Sequence, residues 1–535
     1  MRFVMKTQTP PRRNVKIPDF SWHDSRAAGV FLHISALPSE YGIGNVGRAA
    51  DKFFDFLEQA GMTWWQICPL GPTGYGDSPY QSFSTFAGNP YFIDLEELAE
   101  AGLLERRELE PLKTLPRERC DFGALYCNIP ALLREAAERW RKIGADSSVF
   151  DFGQTFGEFR KTNAHWLDSY ALFTALKRKN GGKPWYEWRK DLRNFETAID
   201  MSAEVADEIF ATEFSQWVFF GQYAKFRAKA QTRGINIFGD IPIFVAHDSA
   251  DVWANRGIFD LYADGTTRTA AGVGPDYFSA EGQYWGNPLY DWDGKKAEVF
   301  EFWRKRVAAA VSMYDAIRFD HFRGFADYWA IPSKTKDARK GSWKLGPDVE
   351  FFAYLKKHFP DNKFVAEDLG LLSERAMKLR DEIKIPTMAV MQFAFGSDAS
   401  NPYFPHNVKR ECVYYTGTHD NDTACGWYAS ATEAAKDQLR RYFRSSGDVP
   451  NWDMIHAVLL GVPRLAVIPM QDILGLPSNC RFNTPGKSDG NWQWRITAEQ
   501  LETARVQNAP YLKSIAELGG RFSLKKETTI GKLEK

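Results

Sequence analysis

Eight short apolar runs recur along the chain, each ending in polar residues. They are GVFLHIS (29–35), WWQICPL (64–70), IFGDIPIFV (237–245), AIRFDHF (316–322), KFVAED (363–368), MAVMQFAF (388–395), ECVYYTGTHD (411–420) and LAVIPMQDIL (465–474). Near-continuous apolar character over so few residues is the pattern of strands buried on both faces of a parallel sheet. Between the runs the period changes to that of a helix. VGRAADKFFDFLEQAG (46–61) stops at Gly61, and EVFEFWRKRVAAAVSMY (298–314) is a second amphipathic stretch. SERAMKLRDEI (373–383) opens on Ser373 as N-cap, with Pro386 beyond its end. Strands alternating with helices eight times predict an α/β chain folded as a (β/α)8 TIM barrel over residues 25–520.

Two spacings between runs are too long for loops. Residues 96–205 carry helical periodicity, as in NIPALLREAAERWRKIG, and predict a mostly helical insertion within the barrel. Residues 247–295 are rich in Gly, Asp, Tyr and Trp and predict a loop-rich insertion after the third strand. Both follow strands, so both belong over the C-terminal face, where barrel active sites lie. An N-terminal extension (1–24) and a charged tail (521–535) are expected to flank the barrel, and no separate C-terminal β domain is expected after the eighth run.

Composition narrows the classes. The 535 residues are 44% hydrophobic and 25% charged, as in ordinary globular chains. Lys+Arg and Asp+Glu are both 68, so the basic excess of a nucleic-acid binder is missing. No apolar run approaches the ~18 residues of a membrane helix. Six scattered cysteines without CxxC spacing argue against both a disulfide framework and a zinc site, and fit a reducing compartment. The N-terminus lacks an apolar segment and is interrupted by Pro10-Pro11, so no secretory signal is expected and the expected location is cytoplasmic. The 15% aromatic content changes the picture more. Aromatic rings stack on flat apolar faces while keeping a polar handle, and sugar rings are one such partner.

The chemistry sits at the ends of the runs. The third carries Asp240, the fourth ends in Arg318-Phe319-Asp320-His321, the fifth in Glu367-Asp368 and the seventh in His419-Asp420-Asn421-Asp422. Any single Asp there can be read as the N-cap of the next helix. Carboxylates at successive strand ends, each costly to desolvate, read better as a site. Paired carboxylates in an aromatic-rich cleft suggest glycosidic-bond chemistry. Asp320 and Glu367, on adjacent strands about 4.8 Å apart, suit the carboxyl spacing of about 5–5.5 Å in a retaining mechanism. Arg318, two residues before Asp320, shares its side of the strand and should keep it ionised. Glu367 should carry the proton. Asp420 is placed to bind substrate hydroxyls, and His419 is either a hydrogen-bond donor there or a core histidine.

RFDHFRG (318–324), VAEDLG (365–370) and TGTHDNDT (416–423) resemble the barrel motifs of the 4-α-glucanotransferases, the amylomaltase or disproportionating-enzyme family of the α-amylase clan. The resemblance extends to GDSPYQSFSTFAGNPYFIDL (76–95), GDIPIFVAHDSADVW (239–253), GPDYFSAEGQYWGNPLYDW (274–292) and QDILGLPSNCRFNTPGKSDGNWQWR (471–495), in order. It implies transfer of α-1,4-glucan segments between maltooligosaccharides through a covalent glycosyl-Asp, with release of glucose and with cycloglucans as a further product. Asp320 is then the nucleophile, Glu367 the acid/base and Asp420 the transition-state stabiliser. Arg318 and His419 support these three at the donor site, Asp240 positions the scaffold near the sugar, Tyr80 stacks on the donor ring, Tyr75 is an acceptor-side or outer contact, and Gln283 and Trp285 fall in a loop that covers the acceptor side. Two departures are Cys480-Arg481-Phe482-Asn483, where Ala-Arg-Met-Asn is usual, and Gly274 in place of Pro. No cofactor and no metal is expected; HDND offers oxygen ligands but not a spaced calcium loop. The expected partners are maltooligosaccharides and α-1,4-glucans, without nucleic acid or membrane, on a monomer or weak homo-oligomer. A maltodextrin hydrolase of the same clan shares the acids and remains the alternative.

Overall fold

The computed structural model describes residues 15–22, 25–74, 76–144, 149–275, 280–370, 372–487 and 489–522. Eight parallel strands form the central sheet: β1 (Ala27–Phe31), β2 (Trp64–Gln66), β3 (Asn236–Pro242), β4 (Ala316–Asp320), β5 (Lys363–Ala366), β6 (Thr387–Val390), β7 (Cys412–Tyr415) and β8 (Leu465–Pro469). Their spatial order is β6-β7-β8-β1-β2-β3-β4-β5. The ends of this order meet: the Ala366 N–H donates to the Pro386 carbonyl at 2.8 Å, joining β5 to the entry of β6. The sheet is therefore a closed barrel, as the eight runs predict. Each run continues past its strand by a few residues. Those polar ends leave the ladder, and they are the residues that gather over the barrel mouth.

The intervening helices follow their caps. Arg48–Gln59 buries Phe53, Phe54, Phe56 and Leu57 against the barrel, and Gly61 beyond its end adopts φ 67°. Glu374–Ile383 is capped by Ser373, whose hydroxyl accepts from Ala376 N–H at 3.1 Å. Between β2 and β3 lie the long helices Phe122–Ile143, Phe156–Lys179 and Ala206–Thr232. Thr155 and Glu158 form a capping box at the start of the second.

The segment 247–295 differs from its loop-like reading. It holds a short helix, Ala250–Ala254, and two strands, Thr269–Val273 and Gln283–Pro288. These join Asp327–Pro332 and Ser342–Leu345, which follow β4, in a four-stranded antiparallel side sheet. The reason lies in burial. Gln283–Gly286 is half-buried and Ser342–Leu345 is exposed, and the register shifts between Ala270 and Gly272. The strands Gln283–Pro288 and Ser342–Leu345 therefore do not read as apolar runs, although Thr269–Val273 and Asp327–Pro332 are largely buried. Gly282 closes the hairpin at φ 71°, where a Cβ would lie 2.5 Å from the Val273 carbonyl oxygen.

Part of the predicted N-terminal extension packs on the barrel. Phe20 is buried against Phe352 and Phe364, and its N–H donates to the Ile383 carbonyl at 2.8 Å. All six cysteines are unpaired. Among the described residues no helix is long and apolar enough to cross a membrane.

The chain's far end also ties down the barrel. Arg521, 3% exposed, donates to six backbone carbonyls, those of Ala27, Val458, Leu459, Gly461, Pro463 and Arg464, at 2.5–3.3 Å. Two of these belong to the last turn of helix Pro450–Leu460, whose carbonyls lack helical partners. Arg521→Met leaves this cluster unsatisfied and should lower unfolding free energy by at least about 2–3 kcal/mol, read as a lower urea midpoint. An unchanged midpoint contradicts the role.

Candidate active site

The β3–β4 register pairs Asp240 directly with Arg318, and Pro242 with Asp320. Side chains alternate along a strand, so Arg318 and Asp320 point the same way as Asp240, into the barrel. The Arg318 guanidinium lies 2.6 Å from Asp240 Oδ2 and 2.8 Å from Asp320 Oδ1. The side chains of Arg318 and Asp240 are 4% and 2% exposed, while that of Asp320 is 28% exposed. One oxygen of Asp320 is thus fixed by a cation while the carboxyl keeps an exposed edge. Burial pushes Asp240 up to about 7, against the pull of Arg318. Tyr80 also donates to Asp240 Oδ2, at 2.9 Å.

Glu367 follows β5 directly, beside Asp320 in the next position of the β4–β5 ladder. Its Oε1 accepts from Leu369 N–H at 3.2 Å and its Oε2 from His321 N–H at 2.9 Å. His321 has φ 50° and ψ 50°, a left-handed conformation uncommon outside Gly. That turn is what aims its N–H at the neighbouring strand's carboxyl. Burial raises the Glu367 pKa to about 8, with the nearby Asp320 and Asp368 charges adding to it against Arg318. Asp368 points away from the cleft. Its Oδ1 accepts from Met388 N–H at 2.9 Å and its Oδ2 from Arg380 at 2.9 Å, so it seals the β5–β6 seam.

Asp420 stands after β7 with its side chain 44% exposed. Its Oδ1 accepts from Asn483 Nδ2 at 2.6 Å, and its Oδ2 lies 3.4 Å from His419 Nε2. The His419 ring is buried and stacks on Tyr80, with centroids 5.1 Å apart and planes 17° apart. Burial holds its pKa below the ordinary imidazole value. Tyr80 is therefore backed on one side by His419 and tied at its hydroxyl to Asp240.

Trp285 and Gln283 lie on the side-sheet strand Gln283–Pro288. The indole N–H of Trp285 donates to Gln283 Oε1 at 3.1 Å, and its ring meets His321 edge-on at 5.0 Å. Tyr75 lies outside the described residues. An open cleft of ≈ 1280 Å³ runs over this face. The three carboxylates do not line it. They connect with it through Trp285, Asn483 and Trp492, which do.

The sequence reading missed three residues here. Asn483 holds the Asp420 carboxylate, Arg481 donates to the Asp420 carbonyl at 2.8 Å, and Trp492 packs beside Tyr80 and His419 at 5.8 and 5.7 Å. Residues 481–487 and 489–492 lie outside helices and strands and show no periodicity, and nothing local marks an amide there as a carboxylate partner. Only the motif resemblance of 471–495 points to it.

A family model described as 4-alpha-glucanotransferase matches residues 32–501. The 4-alpha-glucanotransferase of Thermus thermophilus is 43% identical over 508 residues, 93% of this chain and 99% of that protein. The Synechocystis enzyme of the same name is 42% identical over 93% of this chain and 98% of its own length. Among solved structures, the amylomaltase from Streptococcus agalactiae in complex with acarbose superposes with TM-score 0.88 at 34% identity, covering 93% of this chain and all of its own.

Asn483→Ala removes the amide that fixes Asp420 at 2.6 Å. A hydrogen bond to a charged group contributes about 1.5–3 kcal/mol. Turnover of maltotriose should therefore fall by about 10- to 150-fold, with the thermal midpoint nearly unchanged. Wild-type turnover in a folded variant would show that Asp420 needs no such support.

Proposed function

Because the chain belongs to the 4-alpha-glucanotransferase family, glycoside hydrolase family 77, and is an enzyme of that activity on α-glucans, we propose that it works by retaining double displacement. Asp320 attacks the anomeric carbon as the donor's glycosidic bond breaks. Glu367 protonates the departing oxygen. The donor glucan is then held as an ester on Asp320, and the shortened sugar leaves. Glu367, now ionised, takes the proton from the 4-hydroxyl of an incoming glucan, which attacks the same carbon and releases Asp320. Two inversions restore the α configuration.

The observation that carries this reading is the unequal treatment of the two carboxyls. Asp320 has a guanidinium at 2.8 Å and an exposed edge, as an ionised nucleophile needs. Glu367 is half-buried, and its desolvation holds the proton to about pH 8, as a general acid needs. Asp420, exposed beside the cleft and held by Asn483, is placed to bind ring hydroxyls as the ring flattens. Arg318, Asp240 and Tyr80 set the Asp320 side of the site, and His419 donates beside Asp420. For transfer over hydrolysis the support is Trp285, which stands over the His321 turn between the cleft and the two carboxyls. A sugar bound against it is oriented for attack and displaces water, and orientation can outweigh water's concentration.

Two outcomes test this. The free-enzyme pH profile of kcat/KM should fall on its basic limb with a midpoint near 8, as Glu367 loses its proton. Glu367→Gln should abolish that limb, and it should slow the first step with maltotriose far more than with a glucosyl fluoride, whose leaving group needs little protonation. Equal losses with both donors would remove Glu367 from the role. With maltotriose alone, the wild type should yield glucose and longer chains without a net rise in reducing ends. Trp285→Ala should raise hydrolysis relative to transfer and raise the acceptor KM, with little change in thermal midpoint. A large drop in midpoint at an unchanged product ratio would return Trp285 to a packing role, and net hydrolysis by the wild type would favour the hydrolase reading.

A further inference from the structure

The cleft that begins at Trp285 extends well beyond one glycosidic bond. At ≈ 1280 Å³ it exceeds the roughly 300–1,000 Å³ of a site for one drug-sized ligand. Its wall also carries Tyr186 and His247. These rings lie parallel, with centroids 4.1 Å apart and planes 6° apart. Tyr186 comes from the mostly helical segment between β2 and β3, on the short turn Trp185–Glu187, and His247 from the segment after β3.

Several contacts fix this pair. The Trp185 indole donates to the His247 carbonyl at 2.7 Å, and the Trp185 N–H donates to Asp248 Oδ1 at 3.3 Å. The half-buried Asp248 is paired with Lys177, whose ammonium sits over the Phe83 ring. His247 Nε2 lies 2.8 Å from the Gly265 carbonyl, so that nitrogen carries the proton. Gly265 is required twice over. Its φ is 91°, and a Cβ there would lie 2.4 Å from the Trp185 ring. Tyr186 packs against the core on one side, yet its ring stays half-buried and lines the cleft. Asp264, Thr266 and Lys334 face the same cavity. A rigid flat ring next to hydroxyl-binding polar groups is the chemistry that recognises a sugar, and its rigidity keeps the ordering cost of binding low.

We propose that the Tyr186–His247 stack is a remote sugar-binding platform that receives a glucose unit of the α-1,4-glucan several residues from the reacting bond, so that Tyr186 sets a preference for long chains. This rests on the cleft's being the glucan groove of the proposed reaction. Short substrates end before the platform, so Tyr186 contributes nothing to them. Long substrates reach it from the Trp285 end of the same cavity.

The test compares maltotriose with maltoheptaose in the folded full-length enzyme. Tyr186→Ala should raise the KM for maltoheptaose about five- to tenfold, change that for maltotriose less than twofold, and leave both kcat values within twofold. Tyr186→Phe, which keeps the ring, should behave as wild type on both substrates. Should Tyr186→Ala not fold, Tyr186→Leu carries the same comparison. An equal change with both substrates would make Tyr186 a structural residue, and no change with maltoheptaose would remove the platform; either overturns the proposal. Maltoheptaose and maltotriose binding, measured calorimetrically in a Glu367→Gln background with and without Tyr186→Ala, separates this from the reaction itself. Loss of selective tightening for the longer sugar on Tyr186→Ala supports the platform even if the wild type proves hydrolytic. Equal affinity for the two sugars before the substitution contradicts it even if transfer is confirmed.

Discussion

The guanidinium of Arg318 lies buried between the carboxylates of Asp240 and Asp320, and the rest of the site follows from its placement. A buried cation without partners is strongly destabilising, so the pairing must be built into the backbone. It is: the β3–β4 register sets Asp240 opposite Arg318, and strand alternation brings Asp320 to the same face. A one-residue slip in that register would put Asp240 and the Arg318–Asp320 pair on opposite faces of the sheet. The closed barrel, sealed at β5–β6 by Asp368 and at its other end by Arg521, is what prevents the slip.

One guanidinium then faces three carboxyls, those of Asp240, Asp320 and Glu367. With all three ionised, the site would hold excess negative charge away from water. Desolvation first, and this crowding of negative charge second, raise Asp240 to about 7 and Glu367 to about 8. Glu367 takes its hydrogen bonds from two backbone N–H groups, one supplied by the left-handed His321. The proposed division of roles rests on this asymmetry: the guanidinium touches Asp320, while Glu367 is held by backbone N–H groups and raised by desolvation.

The barrel was legible in the sequence because strands buried on both faces must be apolar throughout, and all eight runs became its strands. The acids were legible because they interrupt those runs at one end. The side sheet was not. Its strands are short and separated by β4, and the one that carries Gln283 and Trp285 is half-buried and pairs across a register shift, so these two residues could be placed over the site only by resemblance. Asn483 and Trp492 were missed because they act from an aperiodic loop whose meaning depends on residues about 60 positions away, such as Asp420. Tyr186 was missed for a different reason. The helical pattern of its segment identified a scaffold, and only the three-dimensional contact with His247 shows that the scaffold delivers a ring to the cleft.

The most direct measurement is to trap the intermediate. Glu367→Gln enzyme mixed with a maltotriosyl fluoride and no acceptor should accumulate a covalent glycosyl adduct, because the donor needs little acid and the release step lacks its base. Peptide mass spectrometry should place that adduct on Asp320, and Asp320→Asn in the same background should abolish it. An adduct on Asp240 or Asp420, or a β-configured product formed with no adduct, would contradict the account.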